Sequence, residues 1–227
     1  MSELIFGIFA LAVASVIALD VWRRGARRRR RKRLEQYVFP AGISRRLKET
    51  YPYLNDQQVA TVMMGLREYF AIALMANGRM VSMPSKAVDA AWHEFIVFTR
   101  GYQDFCRKVL GRFLHHTPAE AMLTPTVAQD GIKRAWQLSC LRENISPSAP
   151  QRLPLLFAID SMLAIPGGYN YALYCTPGSN QYCAADIGCG GFSGRSSDRR
   201  NDGGGGDKDD DGNDGNGGDG GGDGGGD

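Results

Sequence analysis

The chain has 227 residues and a net charge of +3, from 27 Lys and Arg against 24 Asp and Glu. That length holds one ordinary domain plus appendages. The charge is segregated: nine of the eleven residues from Arg23 to Arg33 are basic, while residues 201–227 carry nine Asp and one Lys, so the overall balance excludes nothing and each block has to be read separately.

Residues 4–19, LIFGIFALAVASVIAL, are uncharged and almost wholly apolar, and Asp20, Val21 and Trp22 follow. From Leu4 to Trp22, at about 1.5 Å per residue, a helix would be roughly 28 Å long, close to the hydrocarbon thickness of a bilayer. Trp22 suits the interfacial belt, with the basic run just beyond it. A cleaved signal peptide is the rival reading. It would want positive charge ahead of the apolar stretch, where Ser2 and Glu3 stand, and the AVA at 12–14 lies inside that stretch. Nine basic residues directly afterwards are also hard to translocate. The expectation is a transmembrane anchor over residues 1–22, single-pass in the inner (plasma) membrane, N-terminus out, with the main domain cytoplasmic. The basic juxtamembrane run, 23–33, should touch anionic lipid headgroups, each Lys or Arg contributing about 1 kcal/mol near the surface. No aromatic residue interleaves with Arg23–Arg33, so nucleic acid is not an expected partner.

Residues 34–168 read as the folded part, a small irregular helical bundle in an all-α chain. NDQQVATVMMGLREYFAIALMANG offers Asn55 or Asp56 as N-cap and Asn77-Gly78 as C-cap. Val59, Val62, Met63, Leu66, Tyr69, Phe70 and Ala73 recur at helical spacing between them. Pro84-Ser85 restarts the chain, and the pattern predicts a long helix from Lys86 to Gly111 with relief at Gly101. Its inward stripe is Val88, Trp92, Phe95, Thr99, Tyr102, Cys106, Val109 and Phe113. A further helix is predicted over Thr126–Glu143, with Val127, Ala128, Ile132, Ala135, Trp136, Ser139 and Cys140 inward. LPLLFAIDSMLAIP reads as a short helix ending before Pro166-Gly167-Gly168.

Residues 169–192 form an aromatic, then Cys- and Gly-containing segment. Cys175, Cys183 and Cys189 stand at C-x7-C-x5-C, without the CxxC pairs of a zinc ribbon. A reducing cytoplasm disfavours disulfides, so they are expected as free thiols or packed groups, the alternative being a metal shared with a fourth ligand. From residue 193 to 227 the chain is a Gly/Asp-rich tail, expected to be disordered because it cannot bury enough apolar area to offset its entropy.

The three histidines of the chain, His93, His115 and His116, fall within 24 residues. Asp89 and His93 are four apart, neighbours on one helix face, and a carboxylate beside an imidazole fixes its tautomer and raises its basicity. Adjacent residues do not share a helix face, so at most one of His115 and His116 is expected to point at His93 unless the backbone is irregular there. The plain reading is an Asp–His hydrogen bond that braces packed helices. The sharper one is a metal site for Zn²⁺ or another divalent ion made by Asp89, His93, His115 and His116. No HExxH spacing, phosphate loop, serine elbow or paired-carboxylate motif is present, so no catalytic residue is assigned.

The pattern Asp89-x-x-Trp92-His93, then Tyr102-x-x-x-Cys106-x-x-x-x-Gly111, resembles the signature of the glycine-rich domain-containing protein family, known in plants with shorter bacterial relatives. The bacterial relatives are similar to this chain through VDAAWHEFIVFTRGYQDFC, through GRFLHHTP and through a Cys/Gly-rich end. The resemblance covers about residues 80–120. Plant members often carry a second His two residues after the first, where Phe95 stands here. The resemblance implies no enzymatic reaction. On these grounds the first expectation is a non-enzymatic interaction or scaffold module held at the membrane, with an unknown protein partner. The alternative is a metal-binding protein, and conceivably a metal-dependent enzyme.

Overall fold

The structure, a computed structural model of the chain, describes residues 2–116, 125–175, 182–184 and 187. Cys189 and the expected tail at 193–227 lie outside the described residues. Residues Met1–Ser193 cluster as one compact unit. Among the described residues there are seven α-helices: α1 Ser2–Glu35, α2 Ala41–Thr50, α3 Asp56–Met75, α4 Lys86–Val97, α5 Thr99–Phe105, α6 Pro125–Arg142 and α7 Leu155–Met162. A π-turn, Cys106–Leu110, extends α5. Two two-residue strands, β1 Tyr171–Ala172 and β2 Tyr182–Cys183, pair in parallel and are a small addition to the expected all-helical chain.

α1 is long and apolar enough to cross a membrane, with a mean hydropathy of 1.8 in its most apolar stretch and none of that stretch buried. Phe9, Leu11, Val16 and Trp22 all stand exposed, so the stretch is not a core helix of this fold. The helix runs unbroken through the arginines to Glu35, and only its last turns join the domain, where Leu34 is 1% exposed. Its C-terminal carbonyls are held by one side chain from α3. The Arg67 guanidinium donates to the carbonyls of Leu34, Glu35 and Tyr37 and lies 5.1 Å over the Phe39 ring. A cation at a helix C-terminus satisfies the orphan carbonyls and complements the dipole.

α3 is the central helix. Asn55 accepts from Gln58 N and the Gln58 side chain accepts from Asn55 N, a complete capping box. Gly65 marks its closest crossing: a Cβ there would come within 2.4 Å of Ile159 Cδ1 on α7 and 2.8 Å of Val88 Cγ2 on α4. Around Phe70 the core is aromatic, with Phe39, Trp92, Phe95 and Phe105 all within 6.1 Å of its ring centroid. Such edge and tilted pairs add to the area term.

The predicted single helix over 86–111 is two helices and a π-turn. The break falls at Phe98 (φ −77°, ψ 60°), not at Gly101, which stays helical. Past the bend, Tyr102, Cys106 and Val109 are buried as the stripe requires, but its two ends are not. Phe105, which the stripe missed, is 1% exposed, while the expected inward residues Thr99 and Phe113 are on the surface. Gly111 ends the π-turn at φ 74°, a left-handed conformation that glycine adopts without a Cβ penalty.

The N-terminus of α4 is held across the fold by α7. Ser85 caps α4 by accepting from Val88 N, and its hydroxyl donates to Asp160 Oδ1 at 2.7 Å. The Asp160 carboxylate also accepts from Lys86 N (2.7 Å), Ala87 N (3.2 Å) and Tyr169 N (2.9 Å), and the residue is 2% exposed. A buried anion on a helix N-terminus is stable because free N–H donors and the dipole both face it. Asp160→Ala leaves four donors unanswered, so unfolding free energy should fall by about 3 kcal/mol or more, measured by denaturant titration of the full-length chain. A loss under about 1 kcal/mol, the value of one ordinary hydrogen bond, would contradict this role.

Candidate metal centre

Asp89 lies in the first turn of α4 and His93 one turn later, so both project from the helix that Asp160 anchors. His93 Nδ1 is 2.9 Å from the Asp89 carbonyl oxygen and 3.3 Å from Asp89 Oδ2. The carbonyl oxygen only accepts, so Nδ1 carries a proton toward it. In the neutral ring that is the usual tautomer of a metal-binding histidine whose other nitrogen is held by an oxygen.

The third group arrives from the loop after the π-turn. His116 Nε2 lies 2.8 Å from Asp89 Oδ1, and the His116 ring packs edge-on against Trp92 at 4.5 Å and against His93 at 4.1 Å. The loop is fixed from the core: Trp92 Nε1 donates to Tyr102 Oη at 3.2 Å, and Tyr102 in turn donates to the Leu114 carbonyl. Burial pushes the Tyr102 phenol up, with nearby Cys106 adding to the shift, so it stays a neutral donor. Arg112 donates to the Ala73 carbonyl at 3.3 Å and ties the same loop to α3.

Asp89, His93 and His116 thus offer three ligand atoms within 4.8 Å of one another. Ligands about 2.1 Å from a shared ion are about 3.4 Å apart in a tetrahedron and at most about 4.2 Å apart in any geometry, so closing the set takes a shift of up to about 1.4 Å. His116 is sheltered, with an 11% exposed side chain, while that of His93 is 51% exposed. His115 does not join: its ring stacks edge-on against Phe113 at 4.7 Å, as adjacent residues on an extended loop must diverge. Of the four residues singled out in the sequence, the structure brings three together and leaves the fourth, His115, in the lining of the adjoining cavity.

Beside the cluster is a cavity of about 480 Å³, lined in part by Asp89, His116, Tyr69, Lys86, Arg112 and Tyr171. Its size is that of a small-molecule site, and it combines an aromatic wall with a few charged groups. His93 is not part of the lining.

The cysteines stand apart. Cys106 and Cys140 are buried free thiols. Burial pushes the Cys106 thiol up and the Cys140 thiol up to about 11, Glu143 adding to the latter. Neither is a thiolate nucleophile. Cys175 and Cys183 are joined as a disulfide, with Cα atoms 5.6 Å apart. That corrects the expectation of free thiols, and it removes two members from a three-cysteine metal set. The pairing was not legible because it depends on β1 meeting β2 in register, Ala172 opposite Cys183.

Two residues that matter here were not singled out from the sequence. Asp160 had a visible signal, a lone carboxylate inside the apolar LPLLFAIDSMLAIP. Arg112 had none, since its role depends on where the loop returns. Tyr102→Phe removes the acceptor for Trp92 and the donor to Leu114, so stability should drop by about 1–2 kcal/mol. The His116 ring resonances should broaden in NMR spectra as the loop loosens. Unchanged spectra would show that Tyr102 does not hold the loop.

A sequence model of the family described as UCP032817-like matches residues 29–190. The match takes in the last turns of α1 and the whole described domain, and it leaves out the apolar stretch and the tail. No curated protein and no solved structure matches the chain.

Proposed function

We propose that this chain, which belongs to the UCP032817-like family, is a membrane-anchored protein whose helical domain holds a divalent metal ion on Asp89, His93 and His116. The observation that carries the reading is the convergence of two imidazoles on one carboxylate, within 4.8 Å, beside a cavity. Two histidines and a carboxylate leave coordination positions open, as in catalytic zinc and non-haem iron sites, whereas structural zinc sites are closed by four protein ligands. Asp89 and His116 also line the cavity, which offers room for a small ligand. Asp89, His93 and His116 would hold the ion, which would supply Lewis-acid polarisation to a small ligand from the cavity. The role begins with metal binding; a reaction is a further step that these residues alone do not specify.

Metal analysis of the purified full-length protein tests this. About one equivalent of zinc, iron or manganese should copurify or be taken up, and chelator should lower the melting temperature. His93→Ala should lose the metal and keep the fold, because the His93 side chain is half exposed. No uptake of any of these ions, with chelator-insensitive melting, would leave the Asp–His hydrogen bonds as braces and return the domain to the scaffold reading.

The anchor is α1, and the positive-inside rule orients it with the domain in the cytoplasm. The structure joins Cys175 to Cys183, while a reducing cytoplasm disfavours that bond; with the domain in the cytoplasm, the pair is open in the cell and closes on exposure to oxidant. Thiols trapped in intact cells by a permeant alkylating agent should therefore number five per chain. Trapping after oxidation of the purified protein should number three, with Cys175 linked to Cys183. A pair already bonded in the cell would reverse the topology. The full chain should also stay in the membrane pellet after alkaline extraction, with its N-terminal residues intact; a cleaved signal would release it.

A further inference from the structure

A second cavity, about 820 Å³, lies between the basic half of α1 and the α3–α6 surface. Leu34 is buried in the core, and that fixes which face of α1 turns inward. Counting back from Leu34, the residues on that face are Arg30, Arg27, Ala26 and Arg23, at helical spacing. All four line this cavity, with Arg28 beside them. The opposite wall is apolar and includes Leu74, Met75, Leu138 and Leu141. Leu141 is 64% exposed and Met75 37%. The groove therefore has a cationic wall and an apolar wall, and Trp22 stands at the end from which the apolar stretch of α1 departs.

The cations are not equally committed. Arg31 pairs with Glu35, Arg142 with Glu68, and Arg112 with the Ala73 carbonyl. Among the described residues, nothing hydrogen-bonds or pairs with Arg23, Arg27 or Arg28, while the Arg30 guanidinium rests against Gly111. Like charges at i, i+4 (Arg23 with Arg27, Arg27 with Arg31) destabilise a helix. Three unpaired guanidiniums facing one cavity are an anion site by charge. Position names the anion. If Trp22 sits at the membrane interface, Arg23 to Arg28 cover about 8 Å of helix rise, about the depth of a headgroup layer.

We infer that the groove between α1 and the α3–α6 surface is a binding site for one anionic phospholipid. The phosphate lies on Arg23, Arg27 and Arg28 and an acyl chain lies along Leu74, Met75, Leu138 and Leu141. The inference rests on the membrane-anchor reading. It is narrower than general attraction to a negative surface, because Arg24, Arg29 and Lys32 belong to the same basic run and do not line the groove.

That difference supplies the test. Full-length protein is placed in nanodiscs of phosphatidylcholine alone or with one fifth phosphatidylglycerol, and thermal unfolding is followed. Phosphatidylglycerol should raise the midpoint. The variant with Arg23→Gln, Arg27→Gln and Arg28→Gln should lose the shift, and the charge-matched variant with Arg24→Gln, Arg29→Gln and Lys32→Gln should keep most of it. Native mass spectrometry should find one phosphatidylglycerol retained by the wild type and by the control variant only. Equal loss in both variants would reduce the site to diffuse electrostatics and overturn the inference. So would an equal shift from inorganic phosphate in detergent, which would make the ligand a free anion. A shift that appears in phosphatidylcholine alone once residues 194–227 are removed would mark the acidic tail as the occupant instead, and would also overturn it. Failure of the anchor reading is separately visible, since the protein would then not be retained in the discs at all.

Discussion

The fold depends on one buried carboxylate. Asp160 sits on α7 with almost no exposure, yet its oxygens answer the Ser85 hydroxyl and the amides of Lys86, Ala87 and Tyr169. Taking a carboxylate out of water is costly unless every lone pair is satisfied, and here the N-terminus of α4 supplies the donors. The bond network sets where α4 begins, and so which way Asp89 and His93 face one turn later. It also pulls the chain after α7 back over the cavity, because Tyr169 is one of the donors. Gly168 is part of the same constraint: a Cβ there would come within 2.8 Å of Asp160 Cβ.

Much of the helical layout was legible because it is local. Asn55 and Gln58 stand three apart and form the capping box their sequence spells. Ser85 after Pro84 starts α4, and the stripe Val88, Trp92, Phe95 is buried as its spacing requires. Asp89 and His93 are neighbours for the same reason. What failed is what depends on distant partners. A stripe counted through Phe98 assumes one straight helix. The chain instead bends where Phe98 leaves helical geometry, so the count misses beside the bend and after Gly111, while Tyr102, Cys106 and Val109 are buried as expected. Thr99 is on the surface beside the bend and Phe113 is on the surface after Gly111.

Other features have no local signal at all. Arg67 reads as an ordinary surface residue of α3, but it caps the end of α1, 32 residues or more before it in the chain. Its planar fork reaches three carbonyls at once, which a lysine could not do. The choice between His115 and His116 was likewise open in the sequence. It is made by the Trp92–Tyr102–Leu114 hydrogen bonds, which set the loop's rotation so that one ring meets Asp89 and the other meets Phe113.

The loop from Gly111 to His116 touches both cavities. At its start, Gly111 lies under the Arg30 guanidinium, and only a residue without a Cβ leaves room for that contact. Arg112 lines the arginine-rich groove and the histidine cavity alike. At its end, His116 faces Asp89. The π-turn before it is what allows this: an extra residue in the last turn rotates Gly111 toward α1 and feeds the chain back along α3, where Arg112 meets the Ala73 carbonyl. Arg112 thus belongs to both linings, and the short loop that carries it runs from the arginine-rich groove to the histidine cluster. Packed segments of this kind do not deform smoothly, so an anion that drew Arg30 away from Gly111 would change the support of the same loop that presents His116.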